Sequence, residues 1–341
     1  MAVSLSTNAV KLYSPLTGQY LGECRGHSST INQISFAGPS APHVLYSCSS
    51  DCTLRAWDSR SFKQVSPVPL FALAKVSCIN TGPSEEVFSF SFGGSDDILL
   101  AAGCKSQILF WDWRTMKQTA CLEESHTEDV TQIFNRMVHF VPGHPSKLVS
   151  ASVDGLMCLF DTSGDINDDD HLMSVIIDMF YTDIFIQTAT SVWDWNDART
   201  EANFEDARAL ASDSWTLDHV DYFVDCHYST EEDRLWVIGG TNAGTFGYFP
   251  VKYGTLNTIG SPEAVFQGGH IGIVRSVLPM SSIPGRISKS HGGIFGWTGG
   301  EDGRMCCWSS DNSIETNYSW ISSTLVEKSP KTRRKTRHSP Y

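Results

Sequence analysis

The chain has 341 residues, of which 41% are hydrophobic and 18% are charged. This apolar content is enough for a large packed core, which excludes disorder for most of the chain. The formal net charge of −13 argues against general nucleic-acid binding, because phosphate contacts need clustered cations. The most apolar stretch, residues 173–189, is interrupted by Asp178 and Asp183, so no membrane-spanning segment is expected.

The first residues and the cysteines indicate an intracellular protein without a metal site. No charged segment followed by an apolar one opens the chain, so we expect no secretory signal. The ten cysteines are scattered, and the Cys48/Cys52 and Cys306/Cys307 pairs lack the spacing of zinc ligands. We therefore expect reduced, buried thiols and neither a metal nor a cofactor.

The first predicted element is a hairpin at the start of the chain. Residues 8–24 read as two strands that are joined by a turn at Pro15 to Gly18, with Tyr13 at the end of the first strand. Tyr13 lies 44 residues before Trp57, which ends the first complete unit of a repeat. The hairpin therefore corresponds to the outer half of a further unit whose inner strands are absent from the amino terminus.

Three segments downstream follow one pattern: residues 45–58, 148–161 and 295–308. In each, an apolar strand carries Ser or Thr, an Asp-centred turn follows, and a second strand ends on an aromatic residue. The Asp precedes the aromatic residue by six positions, the Ser or Thr precedes the Asp by four, and a His lies upstream. The three sets are His27, Ser47, Asp51 and Trp57; His126, Ser150, Asp154 and Phe160; and His270, Thr298, Asp302 and Trp308.

Weaker copies of this pattern fill the gaps, and they end at Trp111–Asp112, Trp193–Asp194 and Phe249. The pattern resembles the WD40 repeat, which is marked by a Gly-His pair, a Ser-x3-Asp turn and a terminal Trp-Asp. The resemblance implies an all-β fold, a WD40 β-propeller in which each blade is a four-stranded antiparallel sheet. Six recognisable repeats plus the N-terminal half-blade indicate a seven-blade type with one blade incomplete.

The propeller is predicted to span residues 1–326, and residues 327–341 are predicted to be a disordered basic tail. The fourth repeat is predicted to be eroded, because only 33 residues separate Phe160 from Trp193. An incomplete ring would leave open sheet edges and would be less stable than a closed one.

His27, Ser47 and Asp51 contain the ingredients of a hydrolase triad, but a structural role is favoured. In WD40 blades the equivalent groups form a buried chain from the Trp indole N–H through Ser and His to Asp, and the resemblance implies the same chain here. The sequence also lacks a G-x-S-x-G elbow, a P-loop and a Rossmann glycine pattern. We therefore expect no enzymatic activity.

Two W-D-x-R tetrapeptides end at Arg60 and Arg114. Such pairs resemble the box by which WD40 substrate receptors dock onto the adaptor of cullin-4 ubiquitin ligases, where an arginine makes forked hydrogen bonds. The alternative is that both arginines are ordinary solvated turn residues. The sequence leaves both interpretations open.

The carboxyl terminus carries six cations within residues 328–337. Such a cluster indicates a nuclear-import signal or an RNA-contacting arm, and the alternative is a solubilising tail. The candidate import residues are Lys331, Arg333, Arg334, Lys335 and Arg337.

The order of intact and degenerate repeats, the run at residues 296–304 and the basic tail together resemble the WD repeat-containing protein 89 family. That resemblance implies an intracellular interaction platform without known catalytic activity, and the plant branch is linked to growth control and ribosome assembly. We therefore expect a scaffold in the nucleus and cytoplasm that binds proteins or peptides, such as ribosomal proteins and assembly factors. The alternative is a cullin-4 substrate receptor.

Overall fold

The computed structural model describes a chain built almost entirely from antiparallel strands. The described residues are 1–38, 41–64, 71–72, 86–94, 99–104, 107–112, 117–123, 126, 138–141, 144–152, 157–164, 166, 172–176, 190–194, 199–204, 206–215, 218–229, 234–253, 257–279 and 294–309. Within them, 26 strands form seven separate sheets. This confirms the prediction of an all-β fold, and seven sheets agree with a seven-blade type. The tail at residues 327–341 lies outside this part of the chain.

The strands are distributed over two compact units of the chain. The first comprises Met1–Leu210 with Lys252–Thr258, and the second comprises Ala211–Val251 with the described residues from Ile259 onward. Five sheets belong to the first unit.

The first sheet contains the predicted N-terminal hairpin. Its strands, in the order β1-β2-β3, are β1 (Ala2–Ser4), β2 (Ala9–Tyr13) and β3 (Tyr20–Arg25). The strands β2 and β3 form the hairpin, and Leu21 makes a bulge opposite Tyr13. The short strand β1, which the sequence pattern did not reveal, pairs with the other edge of β2.

Each of the next three sheets contains four strands in chain order, and the second sheet has one additional short strand. The second sheet has β4 (Ile31–Phe36), β5 (Val44–Ser49), β6 (Thr53–Asp58), β7 (Lys63–Gln64) and the extra strand β8 (Phe71–Ala72) beside β6. The third sheet has β9 (Ser89–Gly93), β10 (Leu99–Gly103), β11 (Ile108–Asp112) and β12 (Lys117–Leu122). The fourth has β13 (Val138–Val141), β14 (His144–Ala151), β15 (Met157–Asp161) and β16 (Leu172–Ile176).

The fifth sheet contains the repeat that the sequence marks as short. Its described strands are β17 (Thr190–Asp194) and β18 (Arg199–Phe204). Residues 177–189 lie outside the described residues, so the erosion of this repeat stays a prediction. The helix α1 (Ala207–Ser214) follows, and Asp206 begins it by accepting a 2.9 Å hydrogen bond from the Ala209 backbone N–H, as an N-cap does.

The sixth and seventh sheets belong to the second unit, except that Lys252 and Thr258, at the ends of two strands of the sixth sheet, are assigned to the first. The sixth has β19 (Tyr222–Ser229), β20 (Arg234–Gly240), β21 (Phe246–Lys252) and β22 (Thr258–Ile259), with β23 (Ala264–Phe266) also beside β21. The seventh has β24 (Val274–Pro279), β25 (Ile294–Gly300) and β26 (Met305–Ser309). No helix in the described part of the chain has the length and apolarity needed to cross a bilayer.

In the described part of the chain, the hydrophobic core lies between four pairs of neighbouring sheets of the same unit, because strand side chains alternate between two faces. Four clusters of buried described residues make these contacts. They join the first sheet to the second (Val10, Leu12, Leu45, Trp57), the second to the third (Leu54, Phe90, Trp111), the third to the fourth (Phe110, Leu148, Phe160) and the sixth to the seventh (Trp236, Phe246, Trp308).

Polar side chains also link the first strands of neighbouring sheets. Asn32 on β4 donates a 2.7 Å hydrogen bond to the Val87 carbonyl, and the Gln33 amide oxygen accepts one from the Phe90 backbone N–H. In the second unit, the Tyr222 hydroxyl accepts a 2.7 Å bond from the Val274 backbone N–H. These bonds satisfy backbone groups that a pure sheet-on-sheet contact would leave unpaired.

Candidate functional site

The second sheet brings the first predicted set of four residues into one buried chain. The Trp57 indole N–H donates to the Ser47 hydroxyl at 2.8 Å, and that hydroxyl lies 2.7 Å from His27 Nε2. His27 Nδ1 lies 2.9 Å from a carboxylate oxygen of Asp51. Ser47 and Trp57 are almost completely buried, so the chain is sealed from solvent at its centre.

One proton arrangement satisfies every donor in this chain. With His27 neutral and its proton on Nδ1, the indole donates to Ser47, the Ser47 hydroxyl donates to Nε2, and Nδ1–H donates to Asp51. A second proton on His27 would occupy Nε2 and would leave the Ser47 hydroxyl proton without that acceptor. The geometry therefore favours neutral histidine.

The same turn holds Asp51 as a carboxylate. Its oxygens accept hydrogen bonds from the Ser28 backbone N–H at 2.9 Å and from the Thr53 backbone N–H at 3.0 Å. Burial acts to raise the pKa of Asp51, but hydrogen bonds from Thr53, Ser28 and His27 outweigh it and leave that pKa lowered. Burial lowers the pKa of His27 and outweighs the opposing effect of Asp51. Sequence reasoning missed both residues: Ser28 donates through its backbone N–H, which leaves no signal in a motif, and Thr53, whose hydroxyl also donates to Asp51, lies outside the spacing that defines the repeat.

We expect acidification to destabilise the protein through the hydrogen-bonded series that joins Ser47, His27 and Asp51. The pKa of His27 is lowered in the folded protein, so the unfolded polypeptide binds the proton more readily as the pH falls through 6.5, and unfolding becomes easier. The contribution of Asp51 is present above pH 3.8 and is lost on further acidification, because its pKa is lowered in the folded protein. Urea unfolding of the wild type and His27→Asn between pH 7.5 and pH 5 measures the effect. A wild-type free energy of unfolding that rises on acidification, or an equal slope in the variant, would contradict it.

The seventh sheet repeats the arrangement with threonine in place of serine. The Trp308 indole N–H donates to the Thr298 hydroxyl at 2.8 Å, and that hydroxyl lies 2.8 Å from His270 Nε2. His270 Nδ1 lies 3.1 Å from Asp302, which also accepts from the Ile271 backbone N–H. The second and seventh sheets, which belong to different units, thus use the same series of hydrogen bonds to pair their buried tryptophan and histidine side chains.

The third predicted set is only partly described. His126 Nε2 lies 2.7 Å from the Ser150 hydroxyl, and both residues are buried. Phe160 is buried in the position of the tryptophan, and a phenyl ring offers no N–H to the serine. Asp154 lies outside the described residues.

In the third sheet, alanine stands where the serine would be. Ala102 pairs with the residue two before Trp111, just as Ser47 pairs with the residue two before Trp57. The third sheet therefore keeps the buried tryptophan and, within the described residues, has alanine in place of the serine that accepts its hydrogen bond in the second sheet. The two sheets can be compared to isolate the effect of that serine.

These arrangements do not present a nucleophile. The Ser47 hydroxyl is buried and is engaged on both sides, by the indole that donates to it and by the histidine. A catalytic serine must instead reach a substrate carbonyl from an open site. Within the described residues, no group of three or more His, Cys, Asp or Glu side chains is arranged to hold a metal ion.

The first W-D-x-R turn holds its arginine in a defined orientation. Arg60 Nε lies 3.0 Å from Asp58 Oδ1, and Arg60 Nη2 lies 2.9 Å from Asp58 Oδ2. The Arg60 backbone N–H also donates to Oδ1 at 2.9 Å, and the pKa of Asp58 is lowered chiefly by the hydrogen bond from the Arg60 side chain. The Arg60 side chain remains 69% exposed. Arg114 lies outside the described residues, as do Lys331, Arg333, Arg334, Lys335 and Arg337.

Comparison with known proteins agrees with this geometry. The family model "WD domain, G-beta repeat" matches residues 18–58, which span β3 to β6. The WD repeat-containing protein GTS1 of Arabidopsis thaliana is 59% identical over 100% of this chain and 86% of that protein. The chain belongs to the WD40-repeat protein family. The WD repeat-containing protein 89 homolog of Dictyostelium discoideum is 28% identical over 92% of this chain and 81% of that protein.

A solved structure supports the fold of this WD40-repeat protein. A chain in the crystal structure of the mitotic checkpoint complex superposes with a TM-score of 0.59 at 12% identity, over 91% of this chain and 86% of that chain. At that identity the likeness concerns the fold alone. The predicted WD40 β-propeller and the predicted family are therefore confirmed. WD40 propellers generally act as non-enzymatic scaffolds and bind other proteins.

Proposed function

We propose that this WD40-repeat protein is a non-enzymatic scaffold that binds proteins or peptides. The observation that carries the proposal is the use of His27, Ser47 and Asp51 in a closed, buried chain with Trp57. Because the seventh sheet repeats the chain, these groups serve the blades in two places. Because these polar groups have a structural role, we place the function on the exposed turns and hairpins, where binding residues of rigid folds are commonly found.

The proposed setting is the nucleus and cytoplasm, with ribosomal proteins and assembly factors as partners. The support is the basic run at residues 328–337 on a chain whose formal net charge is −13. Such a run suits an import receptor or contact with RNA.

The second candidate function is that of a substrate receptor of a cullin-4 ubiquitin ligase. The observation that favours it is the fork between Asp58 and Arg60, which fixes an exposed guanidinium at the end of β6. A pre-oriented arginine loses less side-chain entropy when it binds an acceptor on a partner.

One quantitative affinity purification separates these functions. We compare the full chain with Arg60→Ala/Arg114→Ala and with Arg25→Ala, an exposed arginine that also pairs with a carboxylate two residues before it. A scaffold in ribosome assembly recovers ribosomal proteins equally with all three. A cullin-4 receptor recovers the ligase adaptor with the wild type and Arg25→Ala, and loses it with the double variant. A further variant with alanine at the five candidate import residues should lose nuclear accumulation, and its retention in the nucleus would contradict the import role.

A further inference from the structure

Two serine–proline pairs lie within the described residues, Ser14–Pro15 and Ser261–Pro262, and they differ in exposure. A serine that precedes proline is held extended, and the proline has no backbone N–H, so a protein kinase that requires proline after its target serine can select such a pair. Ser261 is exposed, whereas Ser14 is half-buried and uses both its backbone N–H and its carbonyl within its own turn. Ser261 is therefore the more accessible of the two serines.

Ser261 lies in the connection between β22 and β23, which is attached to β21 at both of its ends. The Gly260 backbone N–H donates to the Pro250 carbonyl at 2.9 Å, and the Glu263 backbone N–H donates to the Tyr248 carbonyl at 2.8 Å. The two residues between these attachments therefore have a fixed place beside β21 in the sixth sheet. A group added to the exposed serine hydroxyl changes the charge of this surface without entering the core.

The same connection carries an ion pair. Glu263, two residues after Ser261, binds Arg234 of β20 through one carboxylate oxygen, and its other oxygen accepts a 2.8 Å hydrogen bond from the Trp236 indole N–H. The Arg234 guanidinium lies 4.7 Å from the centre of the Trp236 ring, and its side chain is 38% exposed. Glu263 thus keeps its bond to the indole if the guanidinium turns to another anion.

We propose that Ser261 is a phosphorylation site for a proline-directed protein kinase, and that Arg234 binds the phosphate. The kinase transfers the γ-phosphoryl group of ATP to the Ser261 hydroxyl. A bond forms between the serine oxygen and the γ-phosphorus, the bond from that phosphorus to the bridging oxygen of ADP breaks, and the hydroxyl proton passes to the base of the kinase.

The charges of the sixth sheet determine what the phosphate does there. Its charge of about −1.5 to −2 at pH 7 repels Glu263 and attracts Arg234, whose guanidinium can form two parallel hydrogen bonds with phosphate oxygens. Arg234 therefore exchanges the carboxylate for the phosphate, and this part of the sixth sheet becomes more acidic. Such regulation goes beyond the scaffold function and does not depend on which partner the scaffold binds.

The first test is phosphorylation of the full-length folded chain by a purified proline-directed kinase with Mg²⁺ and ATP, with the sites mapped by tandem mass spectrometry. We expect Ser261 to incorporate phosphate and Ser14 to incorporate none, because the second serine is half-buried within its turn. A serine–proline peptide that matches the preference of the kinase shows that the enzyme is active. Absence of phosphate from Ser261 under these conditions, or equal modification of Ser14, would overturn the proposed site.

The second test is a pH titration of the phosphorylated chain by ³¹P nuclear magnetic resonance, which follows the resonance that Ser261→Ala lacks. The second pKa of the phosphate should be lower in the wild type than in Arg234→Gln, because the guanidinium stabilises the dianion. Arg275→Gln is the matched control, since it removes another partly exposed arginine of the second unit that also pairs with a glutamate, and it should leave that pKa unchanged. Equal values in the wild type and Arg234→Gln would show that Arg234 does not bind the phosphate.

Discussion

Replacing Trp57 with alanine is expected to lower the free energy of unfolding by about 3–5 kcal/mol, the usual cost of removing a buried tryptophan. Trp57 is 2% exposed and belongs to the core between the first and second sheets. Its removal opens a cavity there and takes away the donor to Ser47. Urea unfolding monitored by far-ultraviolet circular dichroism measures the change. A decrease in the free energy of unfolding of less than about 1 kcal/mol would mean that Trp57 contributes little to the stability of the blade.

A matched pair of variants separates the hydrogen bond from the lost volume. Trp57→Phe and Trp111→Phe remove the same indole from two buried sites. Trp57 donates to the Ser47 hydroxyl, whereas Ala102 holds the position of that serine in the described part of the third sheet. We expect Trp57→Phe to cost about 0.5–1.5 kcal/mol more than Trp111→Phe, the net value of one neutral hydrogen bond. Phe160 in the fourth sheet shows that a phenyl ring fits such a position. Equal losses in the two variants would assign the stabilisation to packing alone.

The second large effect is expected at Gly244, in the turn between β20 and β21. Its φ is +91°, and an added Cβ would lie 2.6 Å from the His270 carbonyl oxygen. The obstacle is backbone, so it cannot rotate away as a side chain can. Gly244→Ala should therefore cost about 2–5 kcal/mol, from about 1–2 kcal/mol for the left-handed conformation and about 1–3 kcal/mol for overpacking. It should also displace His270 from Thr298, which faster exchange of the Trp308 indole proton would report.

Gly303 is the control for that substitution. It also has a positive φ, of +71°, but an added Cβ would meet no atom within 4 Å. Gly303→Ala should cost only about 1–2 kcal/mol, which is the strain of the backbone conformation. If both alanine variants lower the free energy of unfolding equally, the close approach of Gly244 to His270 does not contribute to the cost of the substitution.

Local patterns predicted the elements whose cause is local. The alternation of apolar residues, the Asp-centred turns and the terminal aromatics predicted the hairpins β5–β6, β14–β15 and β25–β26, because strand pairing across a short turn depends on adjacent residues. The first hairpin was predicted for the same reason. The strand β1 was not, since Ala2–Ser4 is three residues long and its pairing with β2 depends on the rest of the sheet. The helix α1 was not predicted either, although Asp206 before an alanine-rich stretch is a local start signal.

For the candidate sites, too, the sequence predicted features that depend on nearby residues and missed those that depend on contacts between sheets. Spacing alone named His27, Ser47, Asp51 and Trp57 as one set, but only the structure supplies the distances that make them a buried chain. The fork between Asp58 and Arg60 was within reach of the sequence, since the two residues share one turn. The contact of Gly22 with Phe62 was not, because it joins two sheets.

By itself, the sequence determined that this protein is an all-β WD40-repeat chain with aromatic-ended hairpins, because each repeat carries its own turn chemistry and its own period of apolar residues. The tertiary structure alone decided which side chains leave solvent and which remain exposed. Burial depends on what the neighbouring sheet places opposite a residue, and no local pattern records that. For this reason Ser47 is buried and accepts a hydrogen bond from Trp57, whereas Tyr20 and Leu21 remain half exposed.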